Sequence, residues 1–435
     1  MSRIKIKDNS RIPKASLSGI SLLTSKIADK TLEQLENEGI FVFPEILRDA
    51  DDITKDQMIL QSVNNYYLSS NVMGFMGLGD EKLIIESRFS GNGQDFLFQY
   101  LLERVFDVPN IVDLETDANN DDRVFNLLVF IFPHYLKSAM RKGVFKTYVR
   151  KTYNDSNVKG TIDIARHIVK NTPFVGNVAY SQREYSFDND LMELIRHTVE
   201  FIKHKPYGHK LLVQAKDEVK DVVAATPNYE MCNRQKIIDA NKTNTIRHAY
   251  YREYCELQSL CLLILQHQKH QIGMGSKKVY GLLFDGAWLW EEYMNSIVDE
   301  IFYHPMNKAI KGSQRLFDHN RGFIYPDFIS RDSGARVIAD AKYKPIDNIG
   351  NKDYLFRFDA KKGFYFYPEM GEEEDAVMWL NRGSTYEKNV EVREDICLIK
   401  HGFQIPTGID VYSVFTEQMR CNEIKFLDGI LTSVK

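Results

Sequence analysis

Residues 322–344 read GFIYPDFISRDSGARVIADAKYK, and two acids stand in them beside apolar runs. Phe323-Ile324-Tyr325 precedes Asp327, and Val337-Ile338-Ala339 precedes Asp340. β-Branched and aromatic runs of this kind predict two strands, joined by the turn Arg331-Asp332-Ser333-Gly334. Side chains alternate along a strand, so Asp340 and Lys342 share one face while Ala339 and Ala341 pack on the other. The hairpin is expected to bring Asp327 beside Asp340. Two carboxylates at one place repel each other unless a cation sits between them. Mg²⁺ suits such a place, being a hard cation that takes oxygen ligands and keeps positions for water and phosphate. Lys342 would face the same ion, orienting a water and offsetting charge on a phosphorane-like transition state. The pattern points to metal-assisted phosphodiester hydrolysis. The plain alternative is a surface hairpin with one salt bridge; the apolar flanks oppose it, since charge inside them is costly without a purpose.

Upstream lies Leu282-Leu283-Phe284-Asp285, followed by Leu289-Trp290-Glu291-Glu292-Tyr293-Met294. With these flanks the acid-acid-lysine arrangement resembles the PD-(D/E)xK nuclease core. More narrowly it resembles McrC, the nuclease subunit of McrBC-type (type IV, LlaJI-like) restriction systems. The resemblance is strongest over about 280–370 and extends over 70–200, where two strands, Asp188-Asn189-Asp190 and a helix follow one another. It implies a DNA endonuclease in which Asp327 and Asp340 bind Mg²⁺ and Lys342 positions the attacking water. A glutamate from the upstream helix joins the site; by position this is Glu291, with Glu292 as competitor. It implies a partner as well: an McrB-like AAA+ GTPase hexamer that reads DNA, often methylated at cytosine, and whose GTP hydrolysis the subunit stimulates in defence against foreign DNA. Lys344 and Arg331 are candidate phosphate contacts. The family usually continues into a helix with a Gln followed by a Tyr one turn on; here Asp353-Tyr354-Leu355-Phe356-Arg357-Phe358 is short and shows no such Gln, which leaves the auxiliary residues open. Gly363-Phe364-Tyr365-Phe366-Tyr367-Pro368 agrees with the family's central strand.

The chain is long enough, at 435 residues, for two or three domains with real cores. Its 26 Phe and 23 Tyr against 12 Pro argue against long disordered segments. The formal net charge of −4 means that any DNA contact must come from local basic patches. The cysteines form no C-x-x-C pair or zinc spacing, which suits a reduced cytoplasm. No run is long and apolar enough for a membrane span, and MSRIKIKDNSRIPK lacks a signal-peptide core, so a cytoplasmic protein without a membrane partner is expected.

The expected fold class is α+β multidomain, in three regions. Residues 1–150 form a mixed α/β partner-docking region, 151–275 a strand pair with a helical middle, and 276–435 a restriction-endonuclease-like α/β domain. In the first region, Lys30–Glu38 and Asn92–Phe106 read as helices. Phe125–Leu136 reads as a buried helix running into Lys137, Arg141, Lys142, Lys146 and Arg150, a basic face more simply solvated than bound to phosphate. Val158–Ile168 and Val178–Ser181 read as strands. His167 and His197 are isolated and read as structural. Neither Gly74–Gly79 nor Gly273–Lys277 has the G-x-x-x-x-G-K-[ST] loop, so this chain is expected to bind no nucleotide and any motor must be another chain. Two other classes stay open: a stand-alone repair-type nuclease, and a non-cleaving scaffold that only activates a GTPase.

Overall fold

The computed structural model describes residues 2–31, 34–35, 58–91, 95–105, 120–205, 208–246, 248–270, 280–305, 314–319, 321–334, 336–343, 355, 357–371 and 376–434. The chain divides into two compact units, Met1–Val112 with Gly275–Lys435, and Asp113–Met274. The first unit begins with β1 (Ser2–Lys7), β2 (Arg11–Pro13), β3 (Leu60–Val63), β4 (Tyr66–Ser69), β5 (Val72–Leu78) and β6 (Glu81–Glu86). β1 runs parallel to β6 and β6 antiparallel to β5, while β2, β4 and β3 form a separate antiparallel sheet. Alternation along β6 sends Leu83 and Ile85 inward, onto Ile6, Leu23, Ile27 and Met76. The helix expected over Lys30–Glu38 falls largely outside the described residues. Helix Phe96–Val105 buries Phe96, Leu97, Tyr100 and Leu101 at helical spacing.

In the second unit β7 (Thr147–Asp155) and β9 (Val178–Ser186) form a long antiparallel pair, and β8 (Thr161–Ile162) adds to the far side of β9. Val158–Ile168 is not the expected strand: after β8 the chain turns into helix Ile164–Lys170. The Asp163 side chain accepts the Arg166 N–H at 3.1 Å, an N-cap that ends the alternation. The helices of this unit include Asn120–Met140, Asp190–Lys203, Arg234–Thr243 and Arg252–His270. Asn189 caps the second of these by accepting from Met192 N. His197 is wholly buried, which pushes its pKa down to about 4 and keeps it neutral.

Returning to the first unit, β10 (Tyr280–Asp285) pairs antiparallel with β5 and completes the sheet β1-β6-β5-β10. Leu283 thereby joins the N-terminal core. The expected boundary at 150 does not match this arrangement. Strands β1, β5 and β6 share a sheet with β10, and the described residues 120–150 belong to the unit of the helical middle. β10 leads into helix Gly286–Val298, whose first turn is capped by Asp285 accepting from Ala287 N and Trp288 N. Its apolar face, Trp290, Tyr293 and Met294 among others, is fully buried. Each such side chain contributes roughly 2–3 kcal/mol. The Trp290 indole N–H also donates to Phe366 O at 3.0 Å. The remaining strands are β11 (Phe302–Tyr303), β12 (Gln314–Phe317), β13 (Arg321–Ile324), β14 (Phe328–Ser330), β15 (Val337–Ala341), β16 (Lys362–Glu369), β17 (Ala376–Arg382) and β18 (Glu391–Gln404). Six of them form one mixed sheet in the order β11-β14-β15-β16-β18-β17, while β12 and β13 form a hairpin. The central β16, which includes Gly363–Pro368, runs parallel to both β15 and β18. Helix Tyr412–Val434 packs on β18, and its Glu423 accepts hydroxyl hydrogens from Tyr100 at 2.7 Å and Tyr293 at 3.0 Å.

Candidate active site

β14 and β15 form the expected hairpin, with Phe328 opposite Ala339 and Ile329 opposite Ile338. The expected first strand is displaced, however. Phe323 and Ile324 belong to β13, which pairs with β12, and the strand beside β15 begins only after Asp327. Pro326 has no N–H to give a ladder, so the chain turns there and Asp327 stands at the corner. From that corner its Oδ2 accepts the Ala341 N–H at 2.8 Å, which sets the carboxylate beside the end of β15. Asp340 is 3% exposed and pairs with the Lys342 ammonium. Lys342 is anchored through its backbone N–H, which donates to Phe366 O on β16 at 2.8 Å, while 40% of its side chain is exposed. Asp340 lies inside, whereas Asp327 and the Lys342 amine are partly exposed.

Glu291, buried on the 286–298 helix, faces this group. Its Oε1 lies 3.5 Å from His304 Nε2, and His304 Nδ1 lies 2.7 Å from Asp327 O. A carbonyl oxygen only accepts, so Nδ1 carries the hydrogen of that bond. Glu292 is 4.0 Å from the same ring and more exposed than Glu291. Between the two glutamates the geometry favours Glu291. Burial holds the Asp327 carboxyl well above the ordinary carboxylate range, and the negative charges of Asp340 and Glu291 raise it further. Lys342 acts in the opposite direction. Three carboxylates around one ammonium leave the site short of positive charge.

Asp327, Asp340, Lys342 and Glu291 are thus brought together. Arg331 is placed differently: its Nε donates to Asp299 O at 2.6 Å, tying it to the end of the 286–298 helix. Lys344 lies outside the described residues. Much of the expected basic face is engaged within its own unit, Lys142 by Glu253 at 2.8 Å and Arg150 by Ser181. Lys146 lies over the Tyr185 and Phe187 rings. The sequence reading missed His304. It follows the short β11 and has no acidic neighbour in sequence, so only the pairing of β11 with β14 carries it to Asp327. Among the described residues no group of three or more His, Cys, Asp and Glu is arranged to hold a metal ion by itself. No described helix is long and apolar enough to cross a membrane.

A family model described as McrBC 5-methylcytosine restriction system component matches residues 68–359. Among solved structures, the chain is similar to one from the tetradecameric assembly of Thermococcus gammatolerans McrB AAA+ hexamers with bound McrC. The identity is 14%, covering 99% of this chain and 100% of that one, with a TM-score of 0.45. A second similarity is to a chain of the Thermococcus gammatolerans McrBC complex, at 15% identity over 68% of this chain and 87% of that one, with a TM-score of 0.31. No curated protein sequence matches.

Proposed function

Because the chain belongs to the family of McrBC 5-methylcytosine restriction system components, we propose that it is an McrC-like nuclease subunit which cuts DNA through a PD-(D/E)xK site. The observation that carries this reading is the convergence of Asp327, Asp340 and Lys342 at one end of β15. Mg²⁺ fits these residues, because the donors are carboxylate oxygens and the site lacks positive charge. Mg²⁺ commonly uses only one or two protein carboxylates and keeps several waters. Asp327 and Asp340 would hold it. When bound, it supplies an acidified water and offsets charge on the phosphate oxygens.

The chain's own groups do the rest. The Lys342 ammonium sits at the opening, where it can orient a water and hold a non-bridging phosphate oxygen as negative charge develops. Asp340 holds that ammonium in place. Glu291 adds a carboxylate that can accept a hydrogen from the water, and His304 ties it to the Asp327 backbone. The sequence has no nucleotide-binding loop, so an McrB-like AAA+ GTPase hexamer would supply recognition and translocation, and this subunit would stimulate its GTP hydrolysis.

Reconstitution tests this. Methylated plasmid is mixed with the chain, an McrB-like GTPase, GTP and Mg²⁺, and cleavage and GTP hydrolysis are followed together. Cutting that needs every component supports the proposal. Full cutting without the GTPase supports the stand-alone repair-type nuclease instead. Stimulated GTP hydrolysis with no cutting under any condition supports the non-cleaving scaffold.

A further inference from the structure

The β12–β13 hairpin immediately precedes Asp327, and its pairing sorts its side chains into two faces. Arg315 lies opposite Phe323, and Phe317 opposite Arg321. Directly paired residues of antiparallel strands project to the same side, so these four form one checkerboard of two guanidiniums and two phenyl rings. All four are exposed, Phe317 by 60% and Phe323 by 53%. The opposite face holds Leu316 and the buried Ile324. Among the described residues neither the Arg315 nor the Arg321 guanidinium has an ion-pair partner. The acid at the tip, Asp318, is engaged by His319 at 3.5 Å. The hairpin is held from outside by Arg357, whose Nε donates to Arg315 O.

From this arrangement we infer that the Arg315–Phe317–Arg321–Phe323 face is a platform for an unpaired DNA strand, leading it toward Asp327; the inference rests on the nuclease reading above. Exposed phenyl faces gain most by stacking on flat aromatic surfaces, and a nucleobase offers one only when it is unpaired and unstacked. Guanidiniums beside the rings match the phosphates between successive bases. Side chains two residues apart on one strand stand about 7 Å from each other, which gives each ring its own base. Phe323 and Asp327 are joined by a stretch that spans at most about 14 Å, so a strand on the platform lies within a few nucleotides of the carboxylates. Tyr325, with the same parity as Phe323 and 38% exposed, lies on the way. A duplex hides its base faces, and so the platform favours frayed, gapped or motor-opened DNA.

The test is equilibrium binding of the full chain, without divalent metal, to a fluorescent oligonucleotide that is single-stranded or annealed to its complement. Phe317→Leu/Phe323→Leu removes the rings and keeps apolar, strand-compatible side chains. The platform predicts at least about a fivefold loss of affinity for the single strand, with duplex affinity unchanged. Arg315→Gln/Arg321→Gln is the second variant. For it, the slope of log affinity against log salt for the single strand should fall by about 1.4, from two lost phosphate contacts. A leucine variant that binds the single strand as wild type does, or loses both forms equally, overturns the platform. Where wild type still cuts DNA in Mg²⁺, that result leaves the nuclease reading standing. Conversely, selective loss of single-strand binding in a protein whose wild type cuts nothing keeps the platform and sinks the nuclease.

Discussion

The guanidinium of Arg88 lies over the ring of Tyr343, with Cζ 4.4 Å from the ring centroid. Its Nη2 also donates to Tyr343 O at 2.6 Å, while the Tyr343 hydroxyl meets Ser87 Oγ at 3.0 Å. Tyr343 is the residue after Lys342. The segment following β6, in the N-terminal part of the chain, therefore holds the backbone beside Lys342 of the candidate site. Gly286 makes room for the ring, since a Cβ there would lie 2.7 Å from Tyr343 Cε1.

Replacing Arg88 should therefore affect both stability and catalysis. Arg88→Ala loses the stacking and the carbonyl contact, and leaves the buried Asp8 without the cation 3.9 Å away. The expected cost is roughly 3 kcal/mol in urea unfolding, with cleavage reduced even under conditions where the variant is folded. Arg88→Lys keeps the charge but not the planar stack, and should recover only part of either loss.

His304 links Asp327 and Glu291 without reaching the opening itself, so its removal should loosen the carboxylates rather than delete one. His304→Ala is expected to lower Mg²⁺ affinity or cleavage about 10- to 100-fold, together with a loss of stability of about 1–3 kcal/mol from the unpaired Asp327 carbonyl. His304→Asn, which can still donate to Asp327 O, should restore part of the activity. Calorimetric titration with Mg²⁺ and initial cleavage rates measure the two effects separately.

Asp95 gives a further pH dependence. Its carboxylate accepts the Phe98 N–H in the first turn of the 96–105 helix and the Ser87 N–H just after β6, yet burial pushes its pKa up to about 7. As the pH rises from about 4 to about 7, the unfolded chain gives up this proton while the folded chain keeps it. Stability must therefore fall over that window, by at most on the order of 4 kcal/mol. Urea midpoints of Asp95→Asn should lack this component, whatever constant offset the altered cap introduces. Parallel pH profiles for wild type and variant would contradict the assignment.

Much of this was legible in the sequence, because the informative signals are local. Apolar runs broken by the turn at Arg331–Gly334 fixed the β14–β15 hairpin and the common face of Asp340 and Lys342. Asn189 before Leu191 and Leu194 marked a helix start that the structure contains. Alternation misled at Val158–Ile168, where one capping aspartate outweighed the period-two pattern, and at Phe323–Tyr325, where Pro326 ended one strand before another began. Long-range pairing was not legible. Nothing near Tyr280–Asp285 says that it will lie against Val72–Leu78, so neither the shared sheet nor the Arg88–Tyr343 contact follows from local pattern. His304 was hidden for the same reason.

The most direct test of the proposed site compares DNA cleavage by wild type, Asp340→Ala and Lys342→Ala, each with the GTPase partner, GTP and Mg²⁺. All three should be folded at the assay temperature and stimulate GTP hydrolysis alike, while both variants cut at least about a hundredfold more slowly. Mg²⁺-dependent cutting at the wild-type rate by either purified variant would contradict the account.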